Sequence, residues 1–262
     1  MNISNQINTI QKSFKIQADY FNSDKYHLSK EDYLAYMINR ISPKKTDNVL
    51  EVAAGTCICS RALSKYVHHI ASLDITADML TAGKTESEKD GINNITFIKG
   101  LAEELPFLDN SFDIVISRLA FHHFADITKC FKEMKRVLKP NGKFVLIDMS
   151  AQNEELRENI DRIERMRDNS HTMVLTIKEM KDLFSSNAID LKIQEKSIIP
   201  VSLEEWMNLT KTPEVIKDEI RREMMKDIDG ETQTGFSPYY KNDEIFFNHH
   251  WVFNLGMKSL NN

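Results

Sequence analysis

The chain has 262 residues, with 34 Lys and Arg against 39 Asp and Glu, a formal charge of −5. Its 41% apolar and 28% charged residues, with only 8 Gly and 6 Pro, describe a globular chain and exclude a collagen-like one. A basic nucleic-acid footprint is not indicated, and no run approaches the ~20 apolar residues that a membrane-spanning helix needs.

The first residues carry no apolar core of signal type. Three cysteines without framework spacing suit a reducing compartment. The expectation is a cytoplasmic protein without membrane insertion. Residues 4–41 read as largely helical: Tyr33, Tyr36, Met37 and Ile41 recur at helical spacing, and Ser42-Pro43 ends the stretch.

From residue 48 short β-branched runs take over, at 49–52, 70–74, 95–98, 112–116 and 143–147. Helical stretches at 57–67, 76–88 and 127–138 alternate with them, while Leu101–Asn110 reads as a loop. This alternation predicts βαβ units and a parallel sheet covered on both faces. After residue 150, 153–168 reads as an amphipathic helix with an apolar stripe of Leu156, Ile160, Ile163 and Met166 and a solvated charged face. Helices are expected at 176–187 and 202–228, a loop at 229–243, and two closing strands at Leu191–Val201 and Ile245–Leu255. The aromatic-rich C-terminal part reads as core or as the lining of an apolar pocket.

The strongest chemical signal is Val49-Leu50-Glu51-Val52-Ala53-Ala54-Gly55-Thr56, a buried strand running into small residues that open a helix. Such a turn lets a ligand lie against the backbone and offers it free N–H groups. Asp74 follows Glu51 by 23 residues at the end of the second strand. A carboxylate there suits the two hydroxyls of a ribose, although alone it also suits a helix cap. The turn has one glycine where a dinucleotide fingerprint needs three, so a nucleoside without phosphates, such as S-adenosylmethionine, fits better than a dinucleotide.

With Ser72-Leu73-Asp74-Ile75, Gly100–Phe107, Ser111–Val115 and Val137–Lys143 in the same order, the sequence resembles class I S-adenosylmethionine-dependent methyltransferases. It is nearest in style to the ubiquinone/menaquinone C-methyltransferase-like small-molecule group. The resemblance spans about residues 14–150; Asp148–Ala151 and Arg167-Asp168-Asn169-Ser170-His171 extend it more weakly. It implies an α/β, Rossmann-like, doubly wound, mostly parallel sheet of seven strands, with an N-terminal helical lid (1–42), a cofactor-binding core (43–150) and a helical insertion after strand 5. Residues 151–262 would supply the substrate side and the last two strands.

The resemblance also implies roles. Glu51, Ala53 and Gly55 would hold the methionine end of the cofactor, and Asp74 the ribose. Ile75, Leu101, Ala102 and Glu103 would border the adenine, Ser117 and Arg118 the methionine and the methyl-transfer side, and Tyr20 would close over the cofactor. Cys57 stands where the family usually has glycine and would crowd the helix start. Leu101 stands where an Asp often accepts from the adenine amino group. His122 and His123 are candidate catalytic bases, or else pack beneath the cofactor. The other His pairs, His68-His69 and His249-His250, lack metal-ligand spacing. The expected function is methyl transfer to an O, N or C nucleophile of a small organic molecule. The alternatives are other S-adenosylmethionine chemistry or a non-catalytic regulatory role.

Overall fold

Val49, Leu50 and Val52 are wholly buried, as a strand covered on both faces requires. They belong to β1 (Asn48–Val52), which pairs in parallel with β2 (His69–Asp74) on one side and β4 (Phe112–Arg118) on the other. In the computed structural model, which describes residues 3–21 and 31–260 and the side chains of 5–17 and 32–260, β3 (Ile95–Lys99) extends the sheet beyond β2. On the opposite side β5 (Leu138–Ala151) pairs in parallel with β4.

The closing strands are long and antiparallel: β9 (Glu244–Lys258) lies between β5 and β7 (Ile189–Ser202). The strand order is β3-β2-β1-β4-β5-β9-β7. The sheet exceeds the expected seven strands by two short ones, β6 (Leu175–Thr176) on β5 and β8 (Tyr239–Lys241) on β9. The chain reverses direction across the sheet between β1 and β4, which opens a crevice at the carboxyl ends of the strands.

Helices α3 (Ile58–Leu63), α4 (Ala77–Lys89) and α5 (Ile127–Val137) connect the parallel strands. Asp126 caps α5 by accepting from the Lys129 amide. Phe131 of α5 stacks on Phe144 at 4.3 Å between ring centroids, which binds the helix to β5. Helices α1 (Ile3–Phe21) and α2 (Glu31–Ile41) precede the sheet. After β5 come α6 (Glu154–Arg167), α7 (Ile177–Ser186), α8 (Leu203–Leu209) and α9 (Glu214–Ile228).

Three expectations change. The single helix expected over 202–228 is two, because Pro213 has no N–H to continue a helix and pushes Thr212 out of helical geometry. The expected 229–243 loop contains β8, whose backbone completes a hairpin with β9. The charged face of α6 is only partly solvated: Asp161 and Glu164 are buried, because α6 packs against β5 and α9 and points these carboxylates inward.

Lys258, at the end of β9, closes the far edge of the core. Only 5% exposed, its Nζ donates to the carbonyls of Lys135 and Leu138 and to Asn110 Oδ1. Burial lowers its pKa. Lys258→Met leaves these acceptors unpaired and is expected to destabilise the protein by about 1–3 kcal/mol. Thermal unfolding checks this; an unchanged melting temperature would contradict it.

Candidate functional site

The turn after β1 alternates hands. Ala53, Gly55 and Cys57 all adopt left-handed backbone, with φ of 55°, 54° and 58°. Only one is glycine, so Ala53 and Cys57 hold a conformation that costs an L-residue roughly 1–2 kcal/mol. The crowding expected at Cys57 is relieved from α4. A Cβ at Gly83 would lie 2.7 Å from the Thr56 carbonyl oxygen and 2.9 Å from Cys57 Sγ, so the bare backbone of Gly83 makes room for the thiol.

Asp74 ties the turn to the sheet. Its Oδ2 accepts from the Gly55 amide at 2.8 Å and its Oδ1 from the Thr76 amide at 2.7 Å, at the entry to α4. Each carboxylate oxygen keeps a further acceptor site. Asp74 is 8% exposed, and burial raises its pKa against these hydrogen bonds. Glu51, at the core of β1, accepts from the Ser60 amide at 2.9 Å and from the Ser60 hydroxyl, so it orients the first turn of α3. Its pKa is also raised by burial.

These residues line one cavity enclosing about 1440 Å³ of space free of protein atoms, part of it open solvent. Ala53, Gly55, Ile75, Leu101, Ala102, Glu103 and Arg118 line it with Glu51 and Asp74. Ser117 does not. Successive side chains on a strand face opposite ways, and Ser117 is fully buried behind β4 while Arg118 reaches the cavity. Tyr20 lies in the last turn of α1, but its side chain falls outside the described residues.

Helix α1 forms the cavity's roof through Ile7, Ile10, Phe14 and Gln17. It is fastened by polar side chains. Gln6 donates to the Ser170 carbonyl at 2.8 Å, Gln11 to the Ile75 carbonyl at 3.0 Å, and Ser13 and Gln17 to the Asp168 carboxylate.

His122 and His123 both line the cavity, in unlike environments. His122 Nδ1 lies 2.5 Å from Asp148 Oδ1. Asp148 also accepts from the Phe121 and Met149 amides, at 2.7 Å each. Burial disfavours the imidazolium, but the Asp148 charge prevails and raises the His122 pKa. His123 packs edge-on against Phe14 at 4.9 Å, with its Nδ1 3.1 Å from Ser170 Oγ. Burial and the neighbouring His122 hold it well below the ordinary imidazole range.

Beyond Arg118 a chain of side chains follows to which sequence reasoning gave no individual role, although Trp206 and Trp251 fell in the aromatic-rich part read as core or pocket lining. Arg118 lies over Trp251, 5.3 Å from its ring centroid. The Trp251 indole donates to His249 Nδ1 at 3.4 Å. His249 Nε2 is 3.5 Å from Glu164 Oε1, whose Oε2 accepts from Arg167 at 2.9 Å. Arg167 lies over Trp206 at 4.5 Å. Its sequence neighbour Asp168 was part of a weak resemblance only, and the inward face of α6 could not be told from its solvated face by spacing alone. Among the described residues no group of three or more His, Cys, Asp or Glu could hold a metal ion.

The histidine pair sets a pH dependence. His123, with its pKa depressed, keeps its contribution to stability above ~6.5 and loses it as pH falls, at about 1.4 kcal/mol per unit. His122, with its pKa raised, contributes fully below ~6.5 and loses that as pH rises through its folded value. The buried carboxylates Asp148 and Asp168 are depressed, so their contributions fade only below ~4. Between pH 6.5 and 5 His123 alone is expected to cost up to about 2 kcal/mol, offset in part by Glu51 and Asp74, whose raised pKa values favour proton uptake by the folded state, and His123→Gln is expected to flatten the fall relative to the unmutated protein. Melting temperatures at both pH values check this; equal slopes for the two proteins would refute it.

Comparison with known proteins gives the geometry a context. Residues 50–146 match the family model described as a methyltransferase domain. The chain is 32% identical over 206 residues to the uncharacterized methyltransferase YcgJ of Bacillus subtilis, covering 78% of this chain and 81% of that protein. The YcgJ crystal structure superposes with a TM-score of 0.81 over 88% of this chain and 99% of that one, at 29% identity. A Bacillus halodurans structure does so with a TM-score of 0.80 over 87% and 99% at 24% identity, a likeness of fold. The demethylmenaquinone methyltransferase of Listeria welshimeri is 36% identical over 113 residues, 42% of this chain and 48% of that protein. The chain belongs to the S-adenosylmethionine-dependent methyltransferases.

Proposed function

We propose that the protein methylates an O, N or C nucleophile of a small organic molecule, binding its cofactor in the cavity below α1. The observation that carries this is Asp74, whose carboxylate lines the cavity, is held by two backbone amides and keeps acceptor sites for two vicinal hydroxyls. The left-handed turn beside it presents small side chains, and the buried Thr56 Oγ1 lines the same cavity without a partner among the described residues. These groups fit S-adenosylmethionine, which supplies an electrophilic sulfonium methyl when bound.

Ile75 and the 101–103 segment suit the adenine as apolar and backbone walls. That segment is held by α5: Glu133 accepts from the Leu105 amide at 2.9 Å, and Arg136 donates to the Leu105 and Phe107 carbonyls. Glu51 and Arg118 suit the methionine end. The concave, largely apolar cavity and the net charge of −5 favour a small acceptor over a nucleic acid. Asp74→Ala is expected to weaken S-adenosylhomocysteine binding by about tenfold or more, read by titration calorimetry; unchanged affinity would remove the ribose assignment.

His122 is the residue of the pair suited to take a proton from the acceptor. Asp148 holds Nδ1, so the base is Nε2, which has no partner among the described residues. His123 is held neutral between Phe14 and Ser170 and acts as a support beneath α1. With an acceptor found by screening, His122→Gln is expected to lower kcat by about 10²–10⁴-fold. Asp148→Asn, which removes the charge that raises the His122 pKa, is expected to move the acid limb of the pH–rate profile to lower pH. A variant with unchanged kcat, or an unmoved limb, would take His122 out of the chemistry.

A further inference from the structure

The cavity extends past Arg118 to a cluster that the cofactor assignments leave unused. Arg167, Trp206 and His249 line it there. The Arg167 side chain is only 9% exposed. Its Nε and Nη2 donate to Glu164 Oε2, while Nη1 has no hydrogen-bond partner among the described residues. The Trp206 indole N–H is buried and likewise without a hydrogen bond, whereas His249 Nε2 faces Glu164 Oε1 at 3.5 Å. Native interiors leave few donors unmatched.

Of the acceptors nearby, Asp168 is already committed and Glu164 Oε1 has only His249 Nε2 opposite it, at 3.5 Å. Asp168 takes four hydrogen bonds, from Ser13, Gln17 and both the amide and hydroxyl of Ser170. Glu164 sits behind Arg167, its pKa held well below the carboxylate range: burial opposes this, but Arg167 and His249 prevail. The surrounding wall is apolar, formed by Leu119, Met149 and Leu209.

Unmatched donors around a guanidinium, set in an apolar wall, suit one kind of guest. We infer that the methyl acceptor is an organic acid with an apolar body, whose carboxylate is received by Arg167 and the indole N–H of Trp206. This rests on the methyltransferase reading of the cavity and names its substrate class. Arg167 is pre-oriented by Glu164 and by stacking on Trp206, so its fork is fixed before the guest arrives. Arg167 and Trp206 are then specificity residues, and His249 braces Glu164 from the other side.

The test uses the full chain saturated with S-adenosylhomocysteine and a matched pair of probes, 2-naphthoate and uncharged 2-naphthamide. Binding is read by calorimetry and by quenching of indole fluorescence, for which the chain has 2 Trp. The acid is expected to bind about tenfold or more tightly than the amide. The double variant Arg167→Gln with Glu164→Gln removes both charges, so no carboxylate is stranded in the interior. It is expected to bring the two probes within about twofold while keeping S-adenosylhomocysteine affinity. Should it fail to fold, Trp206→Phe serves, with several-fold weaker acid binding expected and amide binding unchanged. Equal binding of acid and amide by the wild type, binding of neither, or a preference surviving in the variants would overturn the inference while leaving the methyltransferase reading in place. Failure to bind S-adenosylhomocysteine at all would instead strike that reading.

Discussion

The carboxylate of Asp74 is the point on which the site turns. One oxygen holds the amide of Gly55 and the other the amide of Thr76, so a single side chain joins the end of β2, the turn after β1 and the start of α4. Two backbone segments from different strands are thereby fixed at the carboxyl edge of the sheet, where the strand order reverses. The left-handed residues at 53, 55 and 57 are tolerated because that edge is over-determined: Ala54 also donates to the Leu73 carbonyl, Cys57 donates to the Ala54 carbonyl, and Gly83 yields the space for the Cys57 thiol. The same carboxylate that keeps the turn in shape faces the cavity, so the architecture of the turn and the proposed ribose site share one residue.

The opposite wall is organised differently. There the sheet contributes little beyond position, and buried charges from the segment after β5 do the orienting. Asp161 accepts from the Val174 amide and contacts His171, which ties α6 to the chain leading to β6. Glu164 steadies Arg167, and Asp168 anchors α1. The roof is attached to this wall through Gln6, Ser13 and Gln17, and to the opposite side through Gln11 at Ile75 and Lys15 beside Asp78 of α4. Buried ion pairs of this kind add little net stability, but breaking one member leaves a stranded charge, so they impose a single arrangement on a wall built mostly from helices.

Much of the fold was legible in the sequence because the signals were local. Val49–Val52 and Phe112–Ile116 are short β-branched runs of the kind that only a sheet buried on both faces accommodates, and the helices between them have clear ends. The boundaries that failed did so for equally physical reasons. Pro213 divides the 202–228 stretch, and the strand within 229–243 becomes a strand only by pairing with β9. On the site side, Glu51, Asp74 and the small turn announce themselves by spacing. Ser117 could not be separated from Arg118, because the two adjacent side chains face opposite ways on β4 and the sequence does not say which face meets the cavity.

By itself the sequence determined the alternation of strands and helices, the carboxylate at the end of β2 and the small residues after β1, since each follows from backbone preference and nearest-neighbour chemistry. Only the tertiary structure decided that His122 and not His123 is paired with a carboxylate, that Gly83 serves the turn at 55–57, and that Asp161 and Glu164 of an apparently solvated helix face turn inward. Those outcomes depend on which groups, far apart in the chain, share the same low-dielectric space, and periodicity along one element carries no information about its partner.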